Sequence, residues 1–217
     1  MIKSKNQVAL FILAVPIVIF FLIWWNQETQ PKPKSDFDTV IVKINSFDAT
    51  KGNNEAMMEL IEYSDFQCPA CGYYYPFIKN ITQEFSGQLL FSYRHFPLSQ
   101  HLNANIAARA AESAGKQNKF WEMHDLIFEN QNSWSNNKQV RELLIGYAEI
   151  IGLDINKFNT DIDSQEIKDK VSSDYKGGVK IGINSTPTFF LNGKKLDPNE
   201  TNPQILKEKI HALVQAQ

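Results

Sequence analysis

Two cysteines, Cys68 and Cys71, are the residues of this sequence with the most distinctive chemistry. They are separated by Pro69 and Ala70, and we predict that a helix begins at Cys68 and runs to about Phe85. The i, i+3 spacing then places both thiols on one face of the helix. Free N–H groups and the dipole at the first turn should lower the pKa of Cys68. The pattern favours a redox dithiol in which Cys68 is the nucleophile and Cys71 resolves the mixed disulfide.

Other interpretations of the cysteine pair remain open from the residues alone. A structural disulfide would close a very small loop, half of a metal site would need two further ligands, and two inert cysteines would simply fill the core. The four histidines, His95, His101, His124 and His211, lack the HExxH spacing, and His124 is placed as a helix-packing residue. We therefore expect neither a metal site nor a cofactor.

Two positions far from the motif add to the redox interpretation. Glu62 lies on a predicted central strand among apolar neighbours, so burial should raise its pKa; the alternative is a solvated strand edge. Thr186–Pro187 precedes an apolar strand. Proline there is either a helix stop or a cis bond, which is accessible only before proline.

Strand and helix patterns alternate along the chain. We predict strands at 39–44, 57–63, 89–94, 188–191 and 194–196, turn residues at 48–54, and helices at 68–85, 106–114, 120–128, 138–151, 162–181 and from 203 towards the C-terminus. A helical crossover makes the second and third strands parallel. The pattern predicts an α/β fold, one sheet with an inserted helical subdomain over about 102–182.

The first 36 residues differ from the rest in composition. Val8 to Trp25 is an 18-residue run without charge, long enough to approach the span of a bilayer core. We predict a cytoplasmic N-terminus at 1–7, a transmembrane signal-anchor at 8–25, a linker at 26–36 and a catalytic domain at 37–217. A cleaved signal peptide and a buried core helix are the alternatives.

The composition of the 217-residue chain limits its function class. Apolar residues make up 43% and charged residues 21%, values typical of a globular protein. Lys and Arg number 22 against 24 for Asp and Glu, so the net charge is −2. Nucleic acid is therefore not an expected partner, because no basic excess is available to neutralise phosphates.

Several stretches together resemble one known family. The segment from Glu62 to Gly72, followed by Pro76 and, after a helical insert, by 186–190, is similar to the DsbA-like thiol–disulfide oxidoreductases of the thioredoxin superfamily. Segments 94–98 and 120–124 also resemble family stretches, and the resemblance covers about 50–215. It implies a thioredoxin fold in which the helical insert caps the active site.

The resemblance also implies a role for each matching position. Cys68 would be the exposed nucleophile and Cys71 the resolving thiol, with Pro187 as a cis-proline facing the dithiol. Thr186 would offer backbone hydrogen bonds to an extended substrate strand. Glu62 would match the buried acid that helps to move protons to and from the resolving cysteine.

The residues between the cysteines depart from the best-known oxidants of the family. Those oxidants carry a histidine that donates to the thiolate, whereas Pro69 and Ala70 offer no side-chain donor. We expect the Cys68 thiolate to depend on backbone N–H groups alone, which predicts a milder oxidant. Pro69, Ala70 and an exposed Tyr74 are the expected contacts for substrate.

The functional prediction is a membrane-anchored, single-pass thiol–disulfide oxidoreductase with its domain on the extracytoplasmic side, in the periplasm or an equivalent space. Its expected substrates are reduced or misfolded exported proteins, and a quinone-linked membrane thiol oxidase would reoxidise it. A disulfide reductase or isomerase, a non-catalytic chaperone-like binding module and a metallochaperone are the alternatives.

Overall fold

A computed structural model of the chain describes residues 19–21, 24–25 and 40–215. The chain divides into two compact units, 1–35 and 36–217. In the first unit the described residues are helical, and most of the predicted anchor and linker lies outside the described residues. Among the helices that are described, none has the length and hydropathy needed to cross a bilayer.

The second unit contains a five-stranded sheet in the order β1-β3-β2-β4-β5. The strands are β1 Ala49–Gly52, β2 Met58–Ser64, β3 Leu89–His95, β4 Thr188–Leu191 and β5 Lys194–Lys195. β2 and β3 are parallel, as predicted, and the other neighbouring pairs are antiparallel. The central position of β2 explains its apolar sequence, because both of its edges and both of its faces are covered.

The helices of the second unit either follow β2, lie between β3 and β4, or close the chain. They are α1 Pro69–Glu84, α2 Ala104–Gly115, α3 Phe120–Glu129, α4 Gln131–Trp134, α5 Val140–Ile150, α6 Ile155–Asp161, α7 Gln165–Lys180 and α8 Pro203–Gln215. α1 is the crossover between the parallel strands, and α2 to α7 form the predicted insert. The α/β architecture with a helical insertion is therefore confirmed.

The two faces of the sheet carry separate cores because successive side chains of a strand point to opposite sides. Leu60 and Tyr93 belong to the larger core, which also contains Cys71 and the aromatic residues of α3. Ile61 and Phe190 belong to the smaller core on the other face. Glu62 has the same parity as Leu60, so the strand register directs it to the face that contains the dithiol.

The predicted first strand is wrong over its described residues. Residues 40–44 form no strand, and β1 lies instead at 49–52, where turn residues were expected. Val42 is buried in the smaller core and donates one backbone hydrogen bond to Gly193. The β-branched residues therefore serve packing, while β1 is held by pairing with β3, a long-range contact that local propensity does not reveal.

The predicted helix at 162–181 is also wrong at its beginning. The helix of this segment, α7, begins at Gln165, three residues later than predicted, and a separate helix, α6, occupies Ile155–Asp161, where no helix was predicted. Asp154 caps α6 by accepting from the Lys157 N–H, and the Ser164 hydroxyl accepts from the Ile167 N–H. Each cap satisfies a free amide in the first turn of its helix, so α6 and α7 are separate helices.

Candidate active site

The dithiol lies at the beginning of α1, directly after the central strand. Cys68 is the N-cap residue, Pro69 occupies the first turn, and Cys71 follows inside the helix. Both cysteines are free thiols in this structure. Cys71 is fully buried and Cys68 is only 7% exposed, so the expected exposed nucleophile instead reaches solvent through a small opening.

The pKa of Cys68 is lowered to about 5, first of all because the Cys71 thiol donates a hydrogen bond to it. Burial opposes this shift, while the Thr186 side chain and the backbone N–H groups of Cys71 and Ala70 support it. The expected lowering of the pKa is confirmed. The expectation that backbone N–H groups act alone is wrong, because the Cys71 thiol on the same helical turn also donates to the sulfur.

Beneath the dithiol, Cys71 and Glu62 both favour their protonated forms. Burial raises the pKa of Cys71 well above its usual range, and burial raises the pKa of Glu62 to about 7. The charge of Glu62 further raises the pKa of Cys71, and the charge of Cys68 further raises the pKa of Glu62. The predicted burial of Glu62 is confirmed, so this carboxyl can exchange a proton near neutral pH.

Pro187 follows a cis peptide bond, which lies next to the nucleophile although more than a hundred residues separate them. Cys68 Sγ lies 3.5 Å from the Thr186 carbonyl oxygen and donates to it when the thiol is protonated. β4 begins at Thr188 and pairs with β2, which brings this turn to the dithiol end of the sheet. The expected placement of Thr186 and Pro187 opposite the cysteines is confirmed.

The surface around the dithiol differs in one residue from the prediction. Pro69 and Ala70 are exposed, as a substrate contact requires. Tyr74 is half-buried, its ring 5.5 Å from that of Phe189 and its hydroxyl 3.4 Å from Thr201 Oγ1. The exposed aromatic is instead Tyr73, at 61% exposure. The expectation of an exposed Tyr74 is wrong because the helix turns that position towards β4.

The sequence did not indicate Gln131, a residue of the insert that holds the active-site loop. Its Nε2 donates to the carbonyl oxygens of Phe66 at 2.7 Å and Cys68 at 2.9 Å. Its Oε1 would lie only 2.5 Å from a Cβ at Gly72, so the glycine after the motif permits this close contact. A glutamine in a helical segment has no pattern of its own, so only the fold reveals its function.

A second link joins the same loop to the insert. Asp65 is fully buried and accepts hydrogen bonds from the amides of Gln67 and Leu98, and its Oδ2 lies 2.7 Å from His101 Nδ1. The Gln67 side chain accepts from the Asn103 amide at 2.7 Å. The loop before Cys68 is therefore attached at several points, which fixes the position of the nucleophile.

Within the described residues, one group of side chains has the composition of a metal site. Atoms of His95, Glu112 and Asp174 lie within 4.8 Å of one another. Lys170 Nζ is 2.6 Å from an Asp174 oxygen and 3.7 Å from a Glu112 oxygen. The Lys170 ammonium group thus neutralises these carboxylates, and the three side chains belong to an ion-pair network.

Comparisons with known proteins agree with this geometry. The family described as Thioredoxin matches residues 45–210. BdbD from Bacillus subtilis, in its oxidised form, superposes with a TM-score of 0.70 and 24% identity, covering 81% of this chain and 97% of BdbD. Alpha-DsbA1 from Wolbachia pipientis gives a TM-score of 0.66 at 22% identity, covering 84% and 100% of the two chains.

The curated relatives are longer proteins that are named as antiporters. A protein from Mycolicibacterium gilvum named Na(+)/H(+) antiporter NhaA 1 is 37% identical over an alignment of 205 positions that covers 89% of this chain and 32% of that protein. One from Herminiimonas arsenicoxydans, named Na(+)/H(+) antiporter NhaA, is 36% identical over 172 residues, 79% of this chain and 26% of its own. This chain thus spans about a third or less of these relatives. The family match, together with the fold it shares with DsbA-type proteins, shows that the chain belongs to the thioredoxin family.

Proposed function

We propose that this protein is a thiol–disulfide oxidoreductase that donates a disulfide to exported proteins through Cys68 and Cys71. The observation that carries the proposal is the pairing of a low-pKa thiol with a high-pKa thiol on one helical turn. A pair of this kind has a good leaving group at the accessible sulfur and a protonated partner behind it.

In the proposed reaction a substrate thiolate attacks the Cys68 sulfur of the oxidised protein. The Cys68–Cys71 bond breaks, Cys71 leaves with the electron pair, and the buried Glu62 carboxyl supplies its proton. A second substrate thiolate then attacks the substrate sulfur of the mixed disulfide and releases Cys68 as a thiolate. The substrate is oxidised by two electrons, which remain on the two cysteines as a dithiol.

Substrate binding is proposed to use the edge formed by the cis-proline turn. The Thr186 backbone would pair with an extended segment of an unfolded protein, and the exposed surfaces of Pro69, Ala70 and Tyr73 would contact its side chains. Such backbone pairing does not depend on sequence, which suits an enzyme that acts on many reduced proteins.

The cellular setting is part of the same proposal. Residues 8–25 would anchor the chain in a membrane, with the domain in the extracytoplasmic, oxidising space and a quinone-linked thiol oxidase as its reoxidising partner. Extraction of membranes at alkaline pH should leave the full chain in the pellet, and externally added protease should digest the domain. Release of an intact chain by that extraction, or complete protection of the domain from protease, would contradict the anchored arrangement.

The activity is tested by oxidation of a reduced, unfolded model protein and by reduction of insulin. We expect the wild type to transfer its disulfide stoichiometrically and Cys68→Ala to lose transfer. Cys71→Ala should accumulate a mixed disulfide with insulin, because its Cys68 attacks the insulin disulfide and no second cysteine resolves the adduct. Fast insulin reduction with negligible thiol oxidation would favour the reductase. Protection of an unfolded substrate from aggregation by Cys68→Ala, with no transfer by the wild type, would favour the binding module.

A further inference from the structure

A narrow cavity lies behind the buried carboxyl of Glu62 and extends towards solvent. Its volume is about 10 Å³, close to the smallest space that accommodates one water molecule. Glu62 lines it together with Tyr75 and Lys79 of α1 and His124 and Asp125 of α3. Since the side chains of Lys79 and Asp125 are 30% and 21% exposed, the cavity connects the interior carboxyl with the protein surface.

His124 is the one imidazole on the wall of this cavity. Its ring is buried among aromatic side chains, with centroids 4.9 Å from Tyr93 and 5.0 Å from Trp121. Its Nδ1 lies 3.0 Å from Asp125 Oδ1, and Asp125 Oδ2 lies 2.9 Å from Lys79 Nζ. Helix packing alone accounts for the burial of the ring, but it gives no reason for a charged pair at the polar end.

The Asp125 contact determines which nitrogen of the ring can take up a proton. Hydrogen bonds from His124 and Lys79 outweigh burial and lower the pKa of Asp125 to about 2, so this carboxylate can only accept. His124 Nδ1 therefore donates to it, and in the neutral ring Nε2 carries the lone pair. Asp125 thus prepares the imidazole to gain and release a proton at Nε2.

We propose that His124 is a positioning residue of the exchange reaction, which returns to Glu62, across this cavity, the proton that Glu62 gives to Cys71. The inference rests on the proposed function. When Cys71 leaves and takes the Glu62 proton, the carboxylate remains in an apolar interior. His124 takes a proton at Nε2 from water that enters the cavity and passes it to the carboxylate, so both groups end in their starting states.

The direction of transfer follows from the environments of the two groups. Burial lowers the pKa of His124 below its usual value, while burial raises that of Glu62 to about 7. A proton therefore passes from the imidazolium to the carboxylate in the favourable direction. The titratable and charged groups that face the ring are Asp125 on α3, Tyr75 and Lys79 on α1, Lys51 on β1, Glu62 on β2, and Tyr93 and His95 on β3.

The test measures reduction of the oxidised full chain by reduced glutathione from pH 5 to 9, in water and in heavy water. We expect His124→Gln to slow the exchange about tenfold, less than the roughly 100-fold typical of losing a direct acid–base group, and to increase the solvent isotope effect. His211→Gln is the matched control, because His211 is exposed on α8, and it should behave as the wild type.

A second background separates proton relay from a general packing defect. If His124 acts through Glu62, then His124→Gln should cause no further loss in the Glu62→Gln protein. An equal tenfold loss in both backgrounds, or an unchanged pH profile and isotope effect in folded His124→Gln, would overturn the inference.

A second variant and the activity of the wild type keep the test decisive. Should His124→Gln fail to fold, Asp125→Asn removes the fixed acceptor near the surface, and the relay requires it to reproduce the slower rate and larger isotope effect. A wild type that exchanges no disulfide would refute the proposed function itself, whereas an active wild type with unchanged variants would refute only the relay.

Discussion

The two faces of the central sheet each bury an ionisable side chain, and they treat its charge in opposite ways. Arg94 on β3 belongs to the face with the smaller core, and Glu62 on β2 belongs to the face with the dithiol. Both side chains are almost inaccessible to solvent. The strands that carry them are hydrogen-bonded neighbours. The difference in how the two charges are stabilised therefore arises from the residues that pack against each face of the sheet.

Arg94 is surrounded by partners for its charge and its donors. It donates to Asp48 at 2.6 and 3.0 Å, to the Tyr63 hydroxyl at 2.9 Å and to the Lys43 carbonyl oxygen at 2.6 Å. These contacts hold the pKa of Arg94 above its already high value, although burial opposes them. This group remains charged at every accessible pH and serves the fold.

Among the residues that the structure describes, Glu62 has no cationic partner that lowers its pKa, and burial moves that pKa to about 7. A structural carboxyl would be paired, as Asp48 is with Arg94. Burial alone therefore does not identify the site of proton chemistry, whereas a buried acid without a counter-ion next to a thiol does.

The largest effect is expected from removing the counter-ion of Arg94. Asp48→Asn leaves the Arg94 charge buried without its counter-ion, which should lower the free energy of unfolding by about 3–5 kcal/mol. The exchange rate per folded molecule should not change. Urea denaturation provides the measurement. The control is Asp163→Asn, which removes an exposed ion-pair partner and should lower the free energy of unfolding by under about 1 kcal/mol. Similar losses in both variants would contradict the contrast.

Removing the ionisable group of Glu62 should change the free energy of unfolding in the opposite direction. The folded-state pKa of Glu62 is raised above its unfolded value, so its unfavourable contribution is absent below pH 4.5 and grows until about pH 7. Glu62→Gln should therefore stabilise the protein by about 3 kcal/mol at pH 8 and leave it unchanged at pH 4, while slowing exchange. Unfolding at both pH values is the measurement, with exposed Glu55→Gln as the control. Destabilisation at pH 8 would mean that Glu62 has a cationic partner after all.

The dithiol itself predicts how the reduction potential varies with pH. Reduction adds two protons below the Cys68 pKa of about 5, but only the Cys71 proton above it. The potential should then fall by about 60 mV per pH unit below pH 5 and by about 30 mV per unit above it. Equilibration with glutathione across this range provides the measurement. A slope near 60 mV up to pH 8 would show that Cys68 is an ordinary thiol.

The smallest effect is expected for a neutral contact on the dithiol face. Gln131→Ala removes two hydrogen bonds to the active-site loop, and about 1–2 kcal/mol of stability should be lost. The Glu62 pKa, followed by carboxyl infrared absorption, should not move, because the amide carries no charge. Exposed Asn136→Ala is the comparison. A shifted carboxyl band would show that the loop, and not burial, controls Glu62.

Local patterns predicted much of the candidate site. The spacing of Cys68 and Cys71 and the proline in the first turn indicated a thiol pair at a helix N-terminus, and the apolar strand indicated a buried Glu62. The strands predicted at 188–191 and 194–196 leave only Asn192 and Gly193 to connect them, and both residues adopt the positive φ angles of a tight turn. Each of these features depends on interactions within a few residues.

The failures share a different physical origin. β1 was expected to be a turn because its stability comes from pairing with β3, which is far away in the sequence. Helical spacing alone does not state which face of α1 meets the sheet, so it cannot distinguish half-buried Tyr74 from exposed Tyr73. In each case a contact between distant segments outweighed the local preference.

The order of residues by itself determined the reactive thiols, the beginning of their helix and the α/β alternation, because backbone propensities and hydrophobic periodicity act over short distances. Only the tertiary structure decided which groups surround the sulfur: the Thr186 carbonyl oxygen, the amide of Gln131 and the cavity shared by Glu62 and His124. Their effects depend on distance and on exclusion of water, and those quantities exist only once segments far apart in the chain have packed together.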